Sequence, residues 1–84
     1  ALRLISVDDI DYLKSDEKYT LVAWLGDGGQ PSEALLRLPL RDLHAQLDPA
    51  QFVQVHRSVV VNLAAVRHVV RGEHDTADIQ LKHR

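Results

Sequence analysis

The stretch 52–63 constrains the fold most strongly, because it sets hydrogen-bonding side chains among residues that favour strands. Five of its twelve residues are valine, and β-branched side chains suit the pleated, half-buried surface of a sheet. Polar residues interrupt the valines, among them His56, Arg57, Ser58 and Asn62. Their donors and acceptors must be paired within the protein or face a ligand. The stretch therefore predicts two strands joined by a polar turn that serves more than the core.

Size and composition predict one small domain, comprising residues 1–84. A domain of 84 residues buries only about two thirds of the surface of its unfolded chain, which leaves little room for a deep catalytic pocket. Aromatic residues make up only 5% of the chain, so the core must consist mainly of leucine, valine, isoleucine and alanine. Aliphatic cores of this kind suit sheets with a thin helical cover.

The chain lacks the sequence marks of a secreted or membrane-spanning protein. It has no cysteine, so neither a disulfide framework nor a thiolate metal site can form. No apolar run approaches the roughly 20 residues needed to cross a bilayer, and the first residues lack the pattern of a signal peptide. We therefore expect a cytoplasmic domain without membrane contact.

Charge is distributed unevenly along the chain. The formal net charge of -2 argues against a nucleic-acid partner, because phosphate binding depends largely on Lys and Arg. However, six of the twelve acidic residues fall within residues 1–27, whereas residues 49–72 contain no acid, three arginines and two histidines. One part of the molecule can therefore be locally positive despite the overall balance.

The pattern of apolar and polar residues predicts a mainly β fold with one short α-helix. Strands are expected over residues 2–7, 10–15, 19–25, 33–38, 66–71 and 78–82, besides the two valine-rich strands. Turn-forming residues at 26–32 and 72–76 separate some of them. The leucines at 40, 43 and 47 form one apolar stripe behind Pro39, which predicts a helix over about residues 40–47.

Three patterns that could indicate chemistry are not supported by their surroundings. The five histidines show no i, i+4 pair on a helix and no pair on one strand face, so no metal site is expected. Ser58 lacks the glycine-bracketed strand-turn-helix elbow of a nucleophile. The glycine-rich loop at 26–32 is followed by a predicted strand instead of a phosphate-binding helix. We therefore expect neither an enzyme nor a cofactor.

The polar residues that remain are open to more than one interpretation. His56 and Asn62 are assigned a structural role, because such side chains tie tight turns to neighbouring backbone groups. Arg57 carries five donors in a planar fork suited to a phosphate or a guanine edge, but a solvated arginine at a strand end fits the pattern equally well. Lys18 and Tyr19, at the tip of the hairpin predicted for residues 10–25, are similarly ambiguous.

The chain resembles the LytTR family of bacterial DNA-binding domains along nearly all of its length. The most specific part is the order and spacing of Phe52, Val55-His56-Arg57-Ser58 and Val61-Asn62-Leu63, followed by Val66. Ile10-Asp11-Tyr12-Leu13, Tyr19 and the leucine-rich short helix support it. The resemblance implies an elongated fold of several sheets that reads double-stranded DNA with loops. It also implies the output module of a two-component response regulator with an upstream receiver or sensor domain.

The resemblance also assigns roles to particular residues. Arg57 matches a base-reading position and Tyr19 a variable base-facing one, with Lys18 beside it at the hairpin tip. Ser58 and Lys82 match phosphate contacts, whereas His56 and Asn62 match the supports beneath the turn. In the family a third contact loop follows a strand ending in a Ser-Arg pair, and this chain ends at Lys82-His83-Arg84, so we expect that strand to lie outside it. A dimer, or two copies side by side on direct repeats of a promoter, is the expected DNA-bound form.

The main alternative is a β-rich regulatory or protein-interaction module without DNA binding. In that case the His56-Arg57-Ser58 turn would be purely structural, and an exposed strand edge would bind a peptide. The dependence of affinity on salt separates the two classes, since DNA binding weakens steeply with salt and strand addition responds little.

Overall fold

The computed structural model describes residues 4–74 and 76–84, which form one five-stranded antiparallel sheet and one separate hairpin. The strands of the sheet are β1 (Ile10–Asp16), β2 (Tyr19–Leu25), β3 (Pro31–Leu36), β4 (Phe52–His56) and β5 (Val59–Asn62). The hairpin consists of β6 (Val66–Arg71) and β7 (Ala77–Leu81), and the α-helix α1 spans Leu40–His44. Three 3₁₀ turns, Val7–Asp9, Asp27–Gly29 and Leu63–Ala65, join these elements. The prediction of a mainly β fold with one short helix is confirmed.

The order of strands in the sheet is β3-β2-β1-β5-β4, which places β1 at its centre. Leu13 of β1 pairs with Val22 of β2 on one side and with Val60 of β5 on the other. All three side chains are buried, so they form a continuous apolar row across the middle of the sheet. The molecule measures 45 × 29 × 22 Å and is elongated, as the family resemblance implied.

The helix covers the core through the leucine stripe that the sequence predicted. Leu40 is buried, and Leu43 and Leu47 are partly buried against the core cluster, which includes Phe52 of β4. The helix ends at His44, earlier than the predicted residue 47. The backbone N–H groups of Gln46 and Leu47 donate to carbonyls three residues back, at 3.1 Å each, so the last turn tightens before Asp48-Pro49 and keeps Leu47 on the core.

The predicted first strand over residues 2–7 is wrong for the part that the structure describes. Leu4, Ile5 and Ser6 are irregular, Val7 begins a 3₁₀ turn, and residues 2 and 3 lie outside the described residues. Strand β1 already pairs with a neighbour on both sides, and the free edges of the sheet are β3 and β4, so the segment that leads into β1 cannot pair beside it. Alternation alone could not predict which strands would occupy both sides of β1.

The other boundary differences are small and have local causes. Strand β3 runs from Pro31 to Leu36 instead of 33–38, because the chain bends after Leu36 to start the helix, and the Thr20 hydroxyl donates to the Leu38 carbonyl at 2.6 Å. Strand β7 begins and ends one residue before the predicted range 78–82. The Lys82 N–H then donates to the Ala65 carbonyl at 2.8 Å and closes the base of the hairpin.

A buried ion pair joins the end of the chain to the centre of the sheet. The Asp11 side chain on β1 is 3% exposed, and its Oδ2 lies 3.0 Å from Nε of Arg84. The Arg84 guanidinium also donates to the carbonyls of Ser32 at 2.8 Å and Trp24 at 3.3 Å, and lies 5.5 Å from the centre of the Tyr12 ring. One arginine therefore bridges three adjacent strands, β1, β2 and β3.

Arg84→Gln should destabilise the domain, because it leaves the Asp11 carboxylate buried without its cation. Breaking a buried pair costs about 3–5 kcal/mol, and the partial exposure of Arg84 reduces our expectation to about 2 kcal/mol, measured by urea unfolding. The exposed arginine variant Arg67→Gln is the matched control and should change stability by less than about 0.5 kcal/mol. Asp11→Asn in the Arg84→Gln background should recover part of the loss. Equal stability of the two single variants would contradict the role given to the ion pair.

Candidate functional site

Two turns lie side by side at one end of the five-stranded sheet. The first is the tip of the β1–β2 hairpin, residues 16–19, and the second is the β4–β5 turn, residues 56–58. The Ser15 N–H donates to the Ser58 carbonyl at 2.9 Å, next to the pairing of Lys14 with Val59. We call residues 16–19 and 56–58 together the two-turn edge. It brings Lys18, Tyr19, Arg57 and Ser58 to one end of the sheet.

The β4–β5 turn is held by hydrogen bonds between its own residues. The Ser58 backbone N–H donates to Nδ1 of His56 at 3.2 Å, and the Ser58 hydroxyl lies 2.8 Å from the same nitrogen. Since a backbone N–H can only donate, Nδ1 is the acceptor, which places the proton of the neutral ring on Nε2. The side-chain amide of Gln54 donates to the Arg57 carbonyl at 3.2 Å. The turn backbone is thus fixed from several sides.

Arg57 projects from this fixed turn with its guanidinium free. The residue is exposed, and within residues 4–74 and 76–84 its side chain makes neither a hydrogen bond nor an ion pair. A side chain that stabilised the fold would be paired, as Arg84 is. The arrangement therefore leaves five donors available at a rigidly positioned Cα, which is suited to binding a planar or anionic acceptor.

Lys18 and Tyr19 occupy the neighbouring tip in an exposed position. Asp16 pairs with Tyr19, and Glu17 between them adopts φ of 55°, a left-handed conformation that costs a non-glycine residue roughly 1–2 kcal/mol. Tyr19 is 39% exposed and Lys18 is exposed. Two carboxylates, Asp16 and Glu17, share the tip and are also exposed, so the two-turn edge is not uniformly positive.

Asn62 supports the opposite end of the hairpin, not the turn itself. It is fully buried and pairs with Phe52 at the base of β4 and β5. Its Nδ2 donates to the Ile10 carbonyl at 2.7 Å, and its Oδ1 accepts from the Ala64 N–H at 3.0 Å and from the Gln51 amide at 3.2 Å. The expectation that it sits beneath the turn is corrected: it joins β5 to the start of β1 and caps the following 3₁₀ turn.

Lys82 is not brought to the two-turn edge. It follows β7 at the base of the second hairpin, beside Ala65, whereas Ser58 precedes β5. The four residues of β5 span roughly 13 Å at about 3.3 Å per residue, which separates the two positions. A contact from Lys82 would therefore fall on a different part of any ligand than a contact from Ser58.

Two arginines that the sequence analysis did not single out lie near the same end of the sheet. Arg37 follows β3, whose Leu36 pairs with Thr20 just behind the β1–β2 tip. Arg41, on α1, lines an open groove together with Arg57. Arg37 and Arg41 lie near this end because the chain runs back along β2 as β3 and then enters α1. The sequence pattern around each arginine does not indicate that position. The leucine stripe did predict that Arg41 would lie off the core face.

The contact between Ser58 and His56 is a hydrogen bond within the turn. The Nδ1 lone pair is shared with a backbone N–H of the same turn, and in the part of the chain described no carboxylate bonds to Nε2 to orient the ring. Within that part there is also no group of three or more His, Cys, Asp or Glu side chains placed to hold a metal ion. No helix among the same residues is long and apolar enough to span a membrane.

Comparisons with known proteins agree with this architecture. The model of the LytTr DNA-binding domain family matches residues 1–84. An uncharacterized response regulatory protein of Vibrio cholerae is 44% identical over 70 residues, which is 83% of this chain and 26% of that protein. The chain thus spans about a quarter of the length of this relative. The fold is similar to a solved LytTr DNA-binding domain from Bacillus cereus, with a TM-score of 0.78. That domain belongs to a protein described as a methyl-accepting/DNA response regulator. The two are 19% identical, and the match covers 93% of this chain and 67% of that one.

Asn62→Ala should destabilise the domain more than any change in the exposed turn. It removes a donor and an acceptor at a buried position and leaves the Ile10 carbonyl and the Ala64 N–H without those partners, at about 1–3 kcal/mol for each buried group. We expect a loss of about 3 kcal/mol in urea unfolding. Ser58→Ala, the control, removes a hydroxyl from the exposed turn and should cost less than about 1 kcal/mol. A larger loss in Ser58→Ala than in Asn62→Ala would contradict this assignment.

Proposed function

The chain belongs to the LytTR family of DNA-binding domains, and from that membership we propose that it is the sequence-specific output domain of a bacterial transcriptional regulator. It reads double-stranded DNA with the two-turn edge, and Arg57 makes the principal base contact. The single observation that carries this proposal is the free guanidinium of Arg57 on a turn that His56, Ser58 and Gln54 hold in place.

Arg57 suits base recognition because its guanidinium has no partner among the described residues and its backbone is held in place by the turn. A bidentate arginine on the O6 and N7 atoms of guanine is the commonest specific contact in the major groove. Such a contact requires a guanidinium with no internal partner and a backbone that does not yield when the side chain enters the groove. The short β4–β5 turn, which protrudes between two strands, supplies both.

The remaining contacts follow from position along the two-turn edge. Tyr19 faces the bases beside Arg57, and Lys18 contacts a phosphate. The Ser58 hydroxyl contacts another phosphate when it turns its proton away from Nδ1 of His56, which still accepts from the Ser58 N–H. Lys82 contacts a phosphate farther along the duplex, since it lies beyond the other end of β5. Phosphate contacts fix the position of a protein on DNA without specifying sequence, so they support the reading by Arg57 and Tyr19.

The larger protein is inferred from the relative in Vibrio cholerae, which is a response regulatory protein much longer than this chain. We propose that an upstream receiver or sensor domain controls this domain, and that the regulator acts in the cytoplasm, where it reaches chromosomal DNA. One two-turn edge covers few base pairs, so two copies on direct repeats would supply the affinity and specificity that a promoter requires. No catalytic step is part of this function.

Exposed leucines on the outer strand favour a second candidate, a protein-interaction module. Strand β3 forms one edge of the sheet, and Leu35 and Leu36 on it are 55% and 37% exposed. An unpaired edge of this kind can accept a strand from another protein. This mode would use β3 and leave the two-turn edge without a role, so the two candidates predict different sensitive residues.

Arg57→Ala should weaken binding to the cognate promoter by about 1–3 kcal/mol while binding to mixed-sequence DNA changes much less, because the lost contact is to a base edge. Fluorescence anisotropy with both duplexes measures this ratio. Arg67→Gln is the control for a lost arginine remote from the two-turn edge. An unchanged preference for the promoter in folded Arg57→Ala would refute the assignment of Arg57.

Salt should weaken the complex of the wild-type domain with DNA steeply. Each phosphate contact contributes about -0.9 to the slope of log K against log salt concentration, and three or more contacts give a slope of about -3 or steeper. Titrations at several salt concentrations determine the slope. Affinity that hardly responds to salt, together with sensitivity to Leu35→Lys on β3, would support the protein-interaction candidate instead.

A further inference from the structure

A second feature beside the two-turn edge has the properties of an anion-binding surface. An open groove of about 480 Å³ runs between α1 and the β4–β5 hairpin. Its polar lining consists of Arg41, His44, Gln54 and Arg57, and the other lining side chains are aliphatic. No carboxylate among the described residues lines it. The groove therefore combines a shallow apolar floor with a cationic rim.

The groove has a defined shape because a hydrogen bond attaches α1 to β4, one of the two edge strands of the sheet. The His44 Nε2 lies 2.9 Å from the Phe52 carbonyl of β4, an edge strand whose outer carbonyls have no strand partner. Since a carbonyl only accepts, Nε2 is the donor in this bond. Leu40 and Leu43 anchor the same helix to the core. These contacts hold Arg41 at a set position relative to Arg57.

The hydrogen-bonding capacity of the groove is unevenly used. The Gln54 side-chain amide donates to the Arg57 carbonyl, and Nε2 of His44 donates to the Phe52 carbonyl. Arg41 makes one contact in the described part of the chain, a separation of 3.9 Å between Nε and Oδ1 of its neighbour Asp42, with its side chain 92% exposed. A pair so exposed contributes little stability and does not hold the guanidinium. Arg41, like Arg57, is free to bind an acceptor.

We propose that this groove receives one backbone phosphate of the DNA whose bases the two-turn edge reads, and that Arg41 is the residue that binds it. The inference rests on the proposed function and extends it to a helix that carries none of the contacts named so far. DNA is the anion that fits because the groove is open along its length and adjoins the turn that carries Arg57. A strand of duplex whose base edge faces Arg57 has its phosphates beside that turn, and arginine binds phosphate through two parallel hydrogen bonds.

Arg41→Gln tests the proposal against Arg67→Gln, which removes the same charge from the base of the second hairpin. With the wild-type domain as reference, Arg41→Gln should weaken binding to the promoter and to mixed-sequence DNA by the same factor, on the order of fivefold at moderate salt, and should lower the steepness of the salt slope by about one unit. Arg67→Gln should leave both values near those of the wild type. Equal effects of the two variants would overturn the proposal, since they would reflect overall charge alone.

A conservative variant and a simple anion make the outcome decisive. Arg41→Lys keeps the charge and should retain the wild-type salt slope, with an intermediate affinity, because lysine binds phosphate as a point charge without the paired bonds. If inorganic phosphate saturates the groove in an NMR titration while Arg41→Gln leaves DNA affinity unchanged, the groove is a site for small anions and the proposal fails. If wild-type binding is itself insensitive to salt, the proposed function fails first, so the two failures are distinguishable.

Discussion

The arrangement of the molecule depends on the burial of Asp11 at the centre of the sheet. A charged carboxylate that is 3% exposed is stable only when a cation pairs with it and its oxygens accept hydrogen bonds. Arg84, 73 residues away in the sequence, provides that cation. The same guanidinium donates to backbone carbonyls on β2 and β3. The chain must therefore return from the second hairpin to the main sheet, and residues of that hairpin line surface grooves together with residues of β4 and β5.

Asn62 is the buried polar residue that organises the base of the β4–β5 hairpin. Its three hydrogen bonds join β5 to the start of β1, to the loop before β4 and to the 3₁₀ turn that leads into β6. Buried polar groups of this kind specify one arrangement, because any other leaves them unsatisfied. The polar residues of the stretch 52–63 thus divide into Asn62 at the base, His56 and Ser58 within the turn, Gln54 bonded to the turn, and Arg57, whose side chain has no partner among the described residues. The hydrogen bonds of its neighbours hold the turn from which Arg57 projects.

Local pattern predicted the elements whose determinants are local. The valine-rich strands and the turn between them appear where the pattern predicted them, and so does α1, although it ends early at His44. Burial of one face determines the pattern of consecutive residues, so these elements could be predicted locally. Three features depended instead on distant parts of the chain. The segment 4–7 alternates but leads into a strand that already has a neighbour on each side, Arg84 binds a residue 73 positions away, and the course of β7 separates Lys82 from Ser58. Nothing within a few residues of these positions records their partners.

The net charge of -2 is compatible with a DNA-binding surface because some of the acids lie away from that surface. Asp11 is paired with Arg84, and Asp8 accepts a hydrogen bond from Gln51, which also bonds to Asn62 at the base of the β4–β5 hairpin. Asp16 and Glu17 remain exposed at the two-turn edge and oppose the field of the nearby basic residues. Long-range steering of DNA by such a surface is weak, so affinity has to come from direct contacts at close range. That requirement favours several separated arginines, each held by its own element, and two copies on the same duplex, as proposed above, would add their contacts.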